Sequence, residues 1–222
     1  MRGIFITGTD TNIGKTFVSA ILATLLLETE KICYWKPIQT GIETDDDTET
    51  VKGLANLTEN EILNDGFRLE KPLSPHISAR LANVEITVAK TLGFANKVIV
   101  DKFFIVEGAG GVFVPLNDNE FMIDLMVAIE MPVVIVARSG LGTINHSLLT
   151  IKTLKDYGLN VLGVVMNGEH NVENKSAIER YGKTKVLLEV PNFQTLNNDK
   201  IKRFLSSTPS FITDFYEQFS RT

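Results

Sequence analysis

Residues 2–16 read Arg2-Gly3-Ile4-Phe5-Ile6-Thr7-Gly8-Thr9-Asp10-Thr11-Asn12-Ile13-Gly14-Lys15-Thr16, and the fold follows from this stretch. Ile4, Phe5 and Ile6 form a short apolar run between Gly3 and Gly8, the pattern of a buried strand. A glycine-bearing turn follows, and Gly14-Lys15-Thr16 opens an apolar helix running through Val18, Ile21, Leu22 and Leu25. Strand, glycine turn, Lys-Thr and helix are the context of a phosphate-binding loop. Free N–H groups of the loop and the helix start would point at an anion, which the helix dipole also favours. Asn12, Ile13, Gly14, Lys15, Thr16 and Phe17 are the candidate nucleotide-binding residues. Lys15 would reach the outer phosphates and the Thr16 hydroxyl would join the shell of a Mg²⁺ ion. The common pattern puts four residues between the first Gly and the Gly-Lys pair; here five separate Gly8 from Gly14.

Working outward, residues 31–35 (Lys-Ile-Cys-Tyr-Trp) read as a second strand that delivers Lys36-Pro37-Ile38-Gln39-Thr40-Gly41 to the carboxyl end of the sheet, where open α/β sheets bind ligands. Lys36 there is either an electrostatic partner of phosphates or a solvated surface lysine. The acidic run of Asp45, Asp46, Asp47 and Glu49 suits a helix start, and one of its carboxylates could help hold Mg²⁺. Thr58 and Glu61 have the spacing of a capping box over residues 58–63. Ser74 is placed to cap a helix after Pro75, with His76 as a structural hydrogen-bonder. A further helix is expected over residues 87–98.

Residues 103–106 (Phe-Phe-Ile-Val) are the next buried strand, ending in Glu107-Gly108-Ala109-Gly110-Gly111. A carboxylate at the end of an apolar strand, in the same sheet as a phosphate loop, suits a Mg²⁺-linked acid. The glycines behind it allow a turn or a close backbone approach to a ligand. A helix over residues 121–129 and an apolar strand over 132–137 lead to Gly140-Leu141-Gly142, and the helix beginning at Thr143 or Ile144 offers a second anion site. Strand 161–166 ends in Asn167-Gly168, where the amide could meet a base edge or simply form a turn. A last strand over 185–190 and helices near 199–205 and 211–219 complete an alternation that predicts a doubly wound, mostly parallel α/β sheet flanked by helices.

At 222 residues the chain suits one such domain, residues 1–222. Its net charge of −5 disfavours non-specific nucleic-acid binding. No stretch approaches the ~20 apolar residues of a membrane span, and no charged-then-apolar leader precedes the first strand. The expectation is therefore a cytoplasmic protein acting on neither membrane nor nucleic acid. The single cysteine, Cys33, lies in an apolar strand and reads as a small buried hydrophobe.

Taken together, these blocks resemble the dethiobiotin synthetase family of the P-loop NTPase superfamily. The resemblance rests on Gly8 to Thr16 with its longer loop, Lys36-Pro37 with Thr40-Gly41, Ser74-Pro75-His76, Val106-Glu107-Gly108-Ala109-Gly110-Gly111, and Gly142 with Ile144-Asn145-His146. It implies a ligase that joins CO₂ or bicarbonate to 7,8-diaminononanoate (7,8-diaminopelargonate) using ATP and Mg²⁺. The products are dethiobiotin, ADP and phosphate, a step of biotin biosynthesis. It further implies an N-carboxylated diamine whose carbamate oxygen attacks the γ-phosphate, and an anhydride closed by the second amine. Carried over, Lys15 holds the β- and γ-phosphates, Lys36 bridges carbamate and γ-phosphate, and Thr11 and Thr40 hydrogen-bond the reacting groups. Thr40 stands where the family often has serine. Thr16, Asp47 and Glu107 gather the Mg²⁺, with Asp45 and Asp46 as neighbours of Asp47 that could take its place. Asn167 matches an adenine-contacting asparagine. The helix start at Gly142, with Asn145, matches the site for the substrate carboxylate, often supplied by the other subunit of a homodimer. Beyond Asn167 the family's Gly-Glu-x-Pro is replaced by Leu188-Glu189-Val190-Pro191.

A second reading, from another class, is a nucleotide-switched ATPase of the partitioning or septum-positioning kind acting through protein partners. Those proteins carry an additional lysine early in the loop, whereas Thr9, Asp10, Thr11, Asn12 and Ile13 include no basic residue. The C-terminal helix is amphipathic but acidic, which suits packing better than an anionic surface. The sequence favours the enzyme.

Overall fold

The computed structural model describes residues 1–95, 101–193 and 195–220. Its frame is a seven-stranded sheet in the order β4-β2-β6-β1-β7-β8-β9, with β1 (Gly3–Gly8), β2 (Ile32–Trp35), β4 (Ile62–Leu63), β6 (Phe103–Gly111), β7 (Val133–Arg138), β8 (Val161–Asn167) and β9 (Val186–Val190). Every pairing in it is parallel. Parallel sheets are covered on both faces, which is why the central strands are near-continuous Ile, Val and Phe rather than alternating with polar residues.

The alternation of side chains sorts the strands between two cores. Ile4 and Ile6 of β1 point into one, packed against α1 (Lys15–Leu26), α2 (Asp47–Ala55), α8 (Asn198–Ser206) and α9 (Pro209–Ser220). Phe5 points into the other, against α3 (Pro75–Leu81), α4 (Val88–Ala95), α5 (Met122–Ile129), α6 (Thr143–Asp156) and α7 (Val172–Gly182). This is the doubly wound arrangement expected. Because the strands run the same way, the ends of β1, β2, β6, β7 and β8 all arrive at one edge of the sheet.

Three local expectations need correction, and one element is added. The Thr58 region is one turn of 3₁₀ helix, Glu59–Glu61, with the capping box intact, and it feeds the short strand β4 instead of continuing as helix. Residues after Lys36 add an element to the expected strands: β3 (Ile38–Thr40) pairs with β5 (Phe67–Leu69) in a separate two-stranded sheet above the strand ends. The glycines after Glu107 are not a turn, because β6 runs on to Gly111, which pairs with Gly8. Close approach explains them: a Cβ on Gly108 would lie 2.9 Å from the Phe5 ring, and one on Gly111 would lie 3.3 Å from the Gly8 carbonyl. Ser74 does precede α3 with Pro75 in its first turn, but its hydroxyl meets His76 Nδ1 at 3.0 Å and makes no cap bond. The helix expected over residues 87–98 is α4 as far as Ala95; its remainder lies outside the described residues.

Candidate active site

The loop after β1 turns tightly into α1. Asn12 sits at φ 53, a left-handed conformation that asparagine tolerates, and Gly14 at φ 91 forms the N-cap of α1. Only glycine fits at position 14, because a Cβ there would lie 2.1 Å from Asn167 Nδ2. Asn167, at the tip of β8, donates that amide to the Ile13 carbonyl at 2.9 Å and so braces the loop from behind. Ile13 itself turns its side chain into the core.

In front of the loop lies a cleft of about 830 Å³ whose walls include Thr11, Asn12, Gly14, Lys15, Thr16, Phe17, Lys36, Thr40, Asp47 and Glu107. The start of α1, the residue after β2, the first turn of α2 and the middle of β6 thus bring Lys15, Lys36, Asp47 and Glu107 together. The Lys15 ammonium is buried and donates to the Asp10 carbonyl at 3.0 Å. The Asp10 carboxylate is paired with Arg138 at 2.7 Å. Burial, with Lys36 close by, lowers the Lys15 pKa to about 8, against the pull of Glu107, Asp47 and Asp10. Such a lysine gains from any anion brought beside it.

Lys36 is buried between two carboxylates. It donates to Glu107 Oε1 at 2.7 Å and to Asp47 Oδ2. Burial opposes its charge, yet the Glu107 and Asp47 carboxylates outweigh that and hold its pKa above the ordinary lysine value. Glu107 is wholly buried. The Thr16 hydroxyl lies 2.5 Å from Asp47 Oδ1 and 3.0 Å from Glu107 Oε1, with a single proton to share between them. Two lysines and two carboxylates make the cluster neutral, and that balance makes its burial sustainable.

The choice among the three aspartates is made by the start of α2. Asp46 is its N-cap: the side chain accepts from Thr48 N at 3.0 Å and Glu49 N at 3.2 Å. It also accepts from Gln39 Nε2 at 3.1 Å and from Arg68. Asp45, on the cleft wall, has its backbone carbonyl near Gln39. Asp47, on the first turn, is the carboxylate in contact with Thr16 and Lys36.

Two groups of expected residues stand differently. Phe17 lines the cleft and meets Phe193 edge-on at 5.6 Å, so the stretch after β9 packs behind that wall of the cleft. Gly142 and Asn145 lie exposed at the start of α6, Gly142 as its N-cap at φ 91. Sequence reasoning missed Ser19 and Tyr34, whose hydroxyls both reach Glu107. A hydroxyl four residues after Lys15 and another two before Lys36 were the available signals, but each sits in an apolar run and reads as core.

A loop at a strand-to-helix junction, with a glycine cradle, a buried lysine and a carboxylate-flanked hydroxyl, defines the P-loop nucleotide-binding class. Residues 2–200 match a family model described as an AAA domain. The fold is similar to that of the septum site-determining protein MinD from Pyrococcus horikoshii, complexed with Mg-ADP, with a TM-score of 0.62 over 97% of this chain and 95% of that one. At 17% identity, that likeness concerns the fold alone. The chain belongs to the dethiobiotin synthetase family. It is 46% identical over 190 residues to the ATP-dependent dethiobiotin synthetase BioD of Paramagnetospirillum magneticum, covering 86% of this chain and 88% of that protein. It is 42% identical over 199 residues to BioD of Nitrobacter hamburgensis, covering 90% of each.

Proposed function

We propose that this protein is an ATP-dependent ligase that closes 7,8-diaminononanoate and CO₂ into dethiobiotin, releasing ADP and phosphate. The observation that carries this reading is the convergence of Lys15, Lys36, Asp47 and Glu107 on one cleft, beside a glycine loop and with room for a small organic acid.

In this reading the loop N–H groups and Lys15 take the β- and γ-phosphates, Thr11 and Thr40 orient the carbamate, and Lys36 lies between carbamate and γ-phosphate. The carbamate oxygen attacks phosphorus and ADP leaves. The second amine then attacks the carbonyl carbon of the carbamic–phosphoric anhydride, and phosphate departs with one carbamate oxygen. Little covalent help is needed, because phosphoryl transfer depends on positioning and on neutralising charge. Thr16, Asp47 and Glu107 suit Mg²⁺, a hard cation bound through one or two carboxylates with substrate phosphates completing its shell. When bound, that ion neutralises charge developing on the phosphate oxygens. Phe17, on the cleft wall, would border the base, whereas Asn167 spends its amide on the Ile13 carbonyl behind the loop.

The exposed start of α6 supports a homodimer in which Gly142 and Asn145 serve the partner's cleft. Fully exposed Leu141 precedes it, and half-exposed Leu149 and Tyr157 follow along α6 to its far end, where Phe113 lies edge-on between Phe121 and Tyr157. An apolar patch of this kind marks an interaction surface. Among the described residues no helix is long and apolar enough to cross a membrane, and a soluble enzyme of the cytoplasm fits the reading.

The test is product formation. With diamine, bicarbonate and Mg·ATP the purified protein yields dethiobiotin and ADP in equal amounts, and omission of the diamine abolishes ADP release. ATP hydrolysis indifferent to the diamine, without a ring product, would support the switch ATPase instead.

A further inference from the structure

Glu107 is held from two sides, and the two sides differ. Its Oε1 faces the cleft, where Lys36 and Thr16 meet it. Its Oε2 faces the protein, where the Ser19 hydroxyl donates at 2.6 Å and the Tyr34 hydroxyl at 2.9 Å. Both distances fit hydroxyl donors to an ionised carboxylate. The fold supplies these donors from separate elements. Tyr34 pairs with Ile105 across the β2–β6 ladder, so its side chain stands on the face that Glu107 shares two residues later. Ser19 lies one turn beyond Lys15 on the sheet-facing side of α1, and Ser19, Tyr34 and Glu107 are all wholly buried. The Ser19 hydroxyl also lies 2.9 Å from the Lys15 carbonyl, but the shorter contact and the negative charge favour Glu107 for its one proton.

We propose that Ser19 and Tyr34 are positioning residues that fix the Glu107 carboxylate by its inner oxygen, so that it offers Mg²⁺ a single oriented oxygen, Oε1. The proposal rests on the reading above in which Glu107 helps hold the metal. A carboxylate free on both oxygens could turn about its last torsion, trade partners with Lys36 or chelate with both atoms. Two hydroxyls on Oε2 remove that freedom before any ligand arrives. Loss of an outer-shell partner of this type typically weakens metal binding by about 10- to 100-fold.

The test separates metal binding from nucleotide binding and from folding. Tyr34→Phe keeps the ring and removes only the hydroxyl; Ser19→Ala removes one oxygen. Mn²⁺ is titrated into each full-length protein with ADP present, and the free ion is read by electron paramagnetic resonance. ADP affinity is measured separately in EDTA, and folding by circular dichroism and melting. Each folded variant is expected to bind Mn²⁺ about 10-fold or more weakly than the parent, with ADP affinity in EDTA unchanged. Raised Mg²⁺ then recovers turnover. Parental Mn²⁺ affinity in both variants overturns the proposal. So does a loss of metal-free ADP affinity equal to the loss of Mn²⁺ affinity, which would make the two hydroxyls props of the loop. A parent that takes up no Mn²⁺ with ADP present removes the metal reading itself and the proposal with it. A parent that binds ADP and Mn²⁺ while both variants match it removes the proposal alone.

Discussion

At the scale of single residues, Lys36 is in the most demanding position. A buried ammonium is sustained only by close carboxylates, and Lys36 has two, Asp47 and Glu107. If its charge serves the transferring phosphoryl group, Lys36→Ala lowers kcat by about 10²-fold or more while ATP affinity falls far less. Steady-state kinetics beside equilibrium nucleotide binding checks this, and equal losses in both contradict the role. Cys33 makes an independent prediction about stability. Burial pushes its thiol up to about 11, against a small pull from Lys102. The unfolded chain ionises from about pH 9 upward while the folded thiol keeps its proton, so the folded state binds more protons in that window. Stability from this group is intact below pH 9 and is lost as pH rises towards 11, by about 2 kcal/mol near pH 10.5. Urea unfolding of parent and Cys33→Ala at about pH 8 and pH 10.5 should show the parent losing more; parallel losses contradict it. Lys15 and Thr16 were legible in the sequence because they follow a glycine loop at a strand-to-helix junction, and Glu107 because it closes an apolar run; Lys36 by position alone reads equally as a surface lysine. Ser19 and Tyr34 were not legible, because a hydroxyl inside an apolar run is indistinguishable from core until its partner is known.

At the scale of elements, the start of α2 aims the Asp47 carboxylate at Thr16 and Lys36. Asp46 closes the helix N-terminus and is itself held by Gln39 and Arg68 from the small β3–β5 sheet. Asp46→Ala should cost about 1 kcal/mol of stability through the lost cap and raise KM for Mg·ATP by loosening Asp47. Melting and kinetics measure both; an unaltered KM would show that Asp47 is aimed by other contacts. Three adjacent aspartates could not be ranked from sequence because their roles depend on the residue at which the helix begins. The β3–β5 sheet was equally hidden, since three-residue strands carry too short an alternation to register. The run of glycines in β6 reads in the sequence as a turn or an approach to a ligand, not as continuing strand packed against Phe5 and Gly8, because its cause is a neighbouring strand far away in sequence.

For the whole molecule, the alternation of apolar strands and helices made the doubly wound class readable. The spatial order β4-β2-β6-β1-β7-β8-β9 was not, because it is set by crossovers between segments distant in the chain. The fold also stops short of function, since at 17% identity a septum-positioning ATPase shares it. The proposed dimer is tested by Leu141→Glu, beside Gly142, which should shift the protein to monomer in light scattering; a persistent dimer would locate the interface elsewhere. The central claim is that a carbamate oxygen on the diamine takes the γ-phosphoryl group in this cleft. Turnover with freshly dissolved ¹⁸O-labelled bicarbonate, read by mass spectrometry before the label exchanges with water, tests it most directly. One ¹⁸O is expected in the released phosphate for each dethiobiotin formed. Dethiobiotin accompanied by phosphate that carries no ¹⁸O would contradict it.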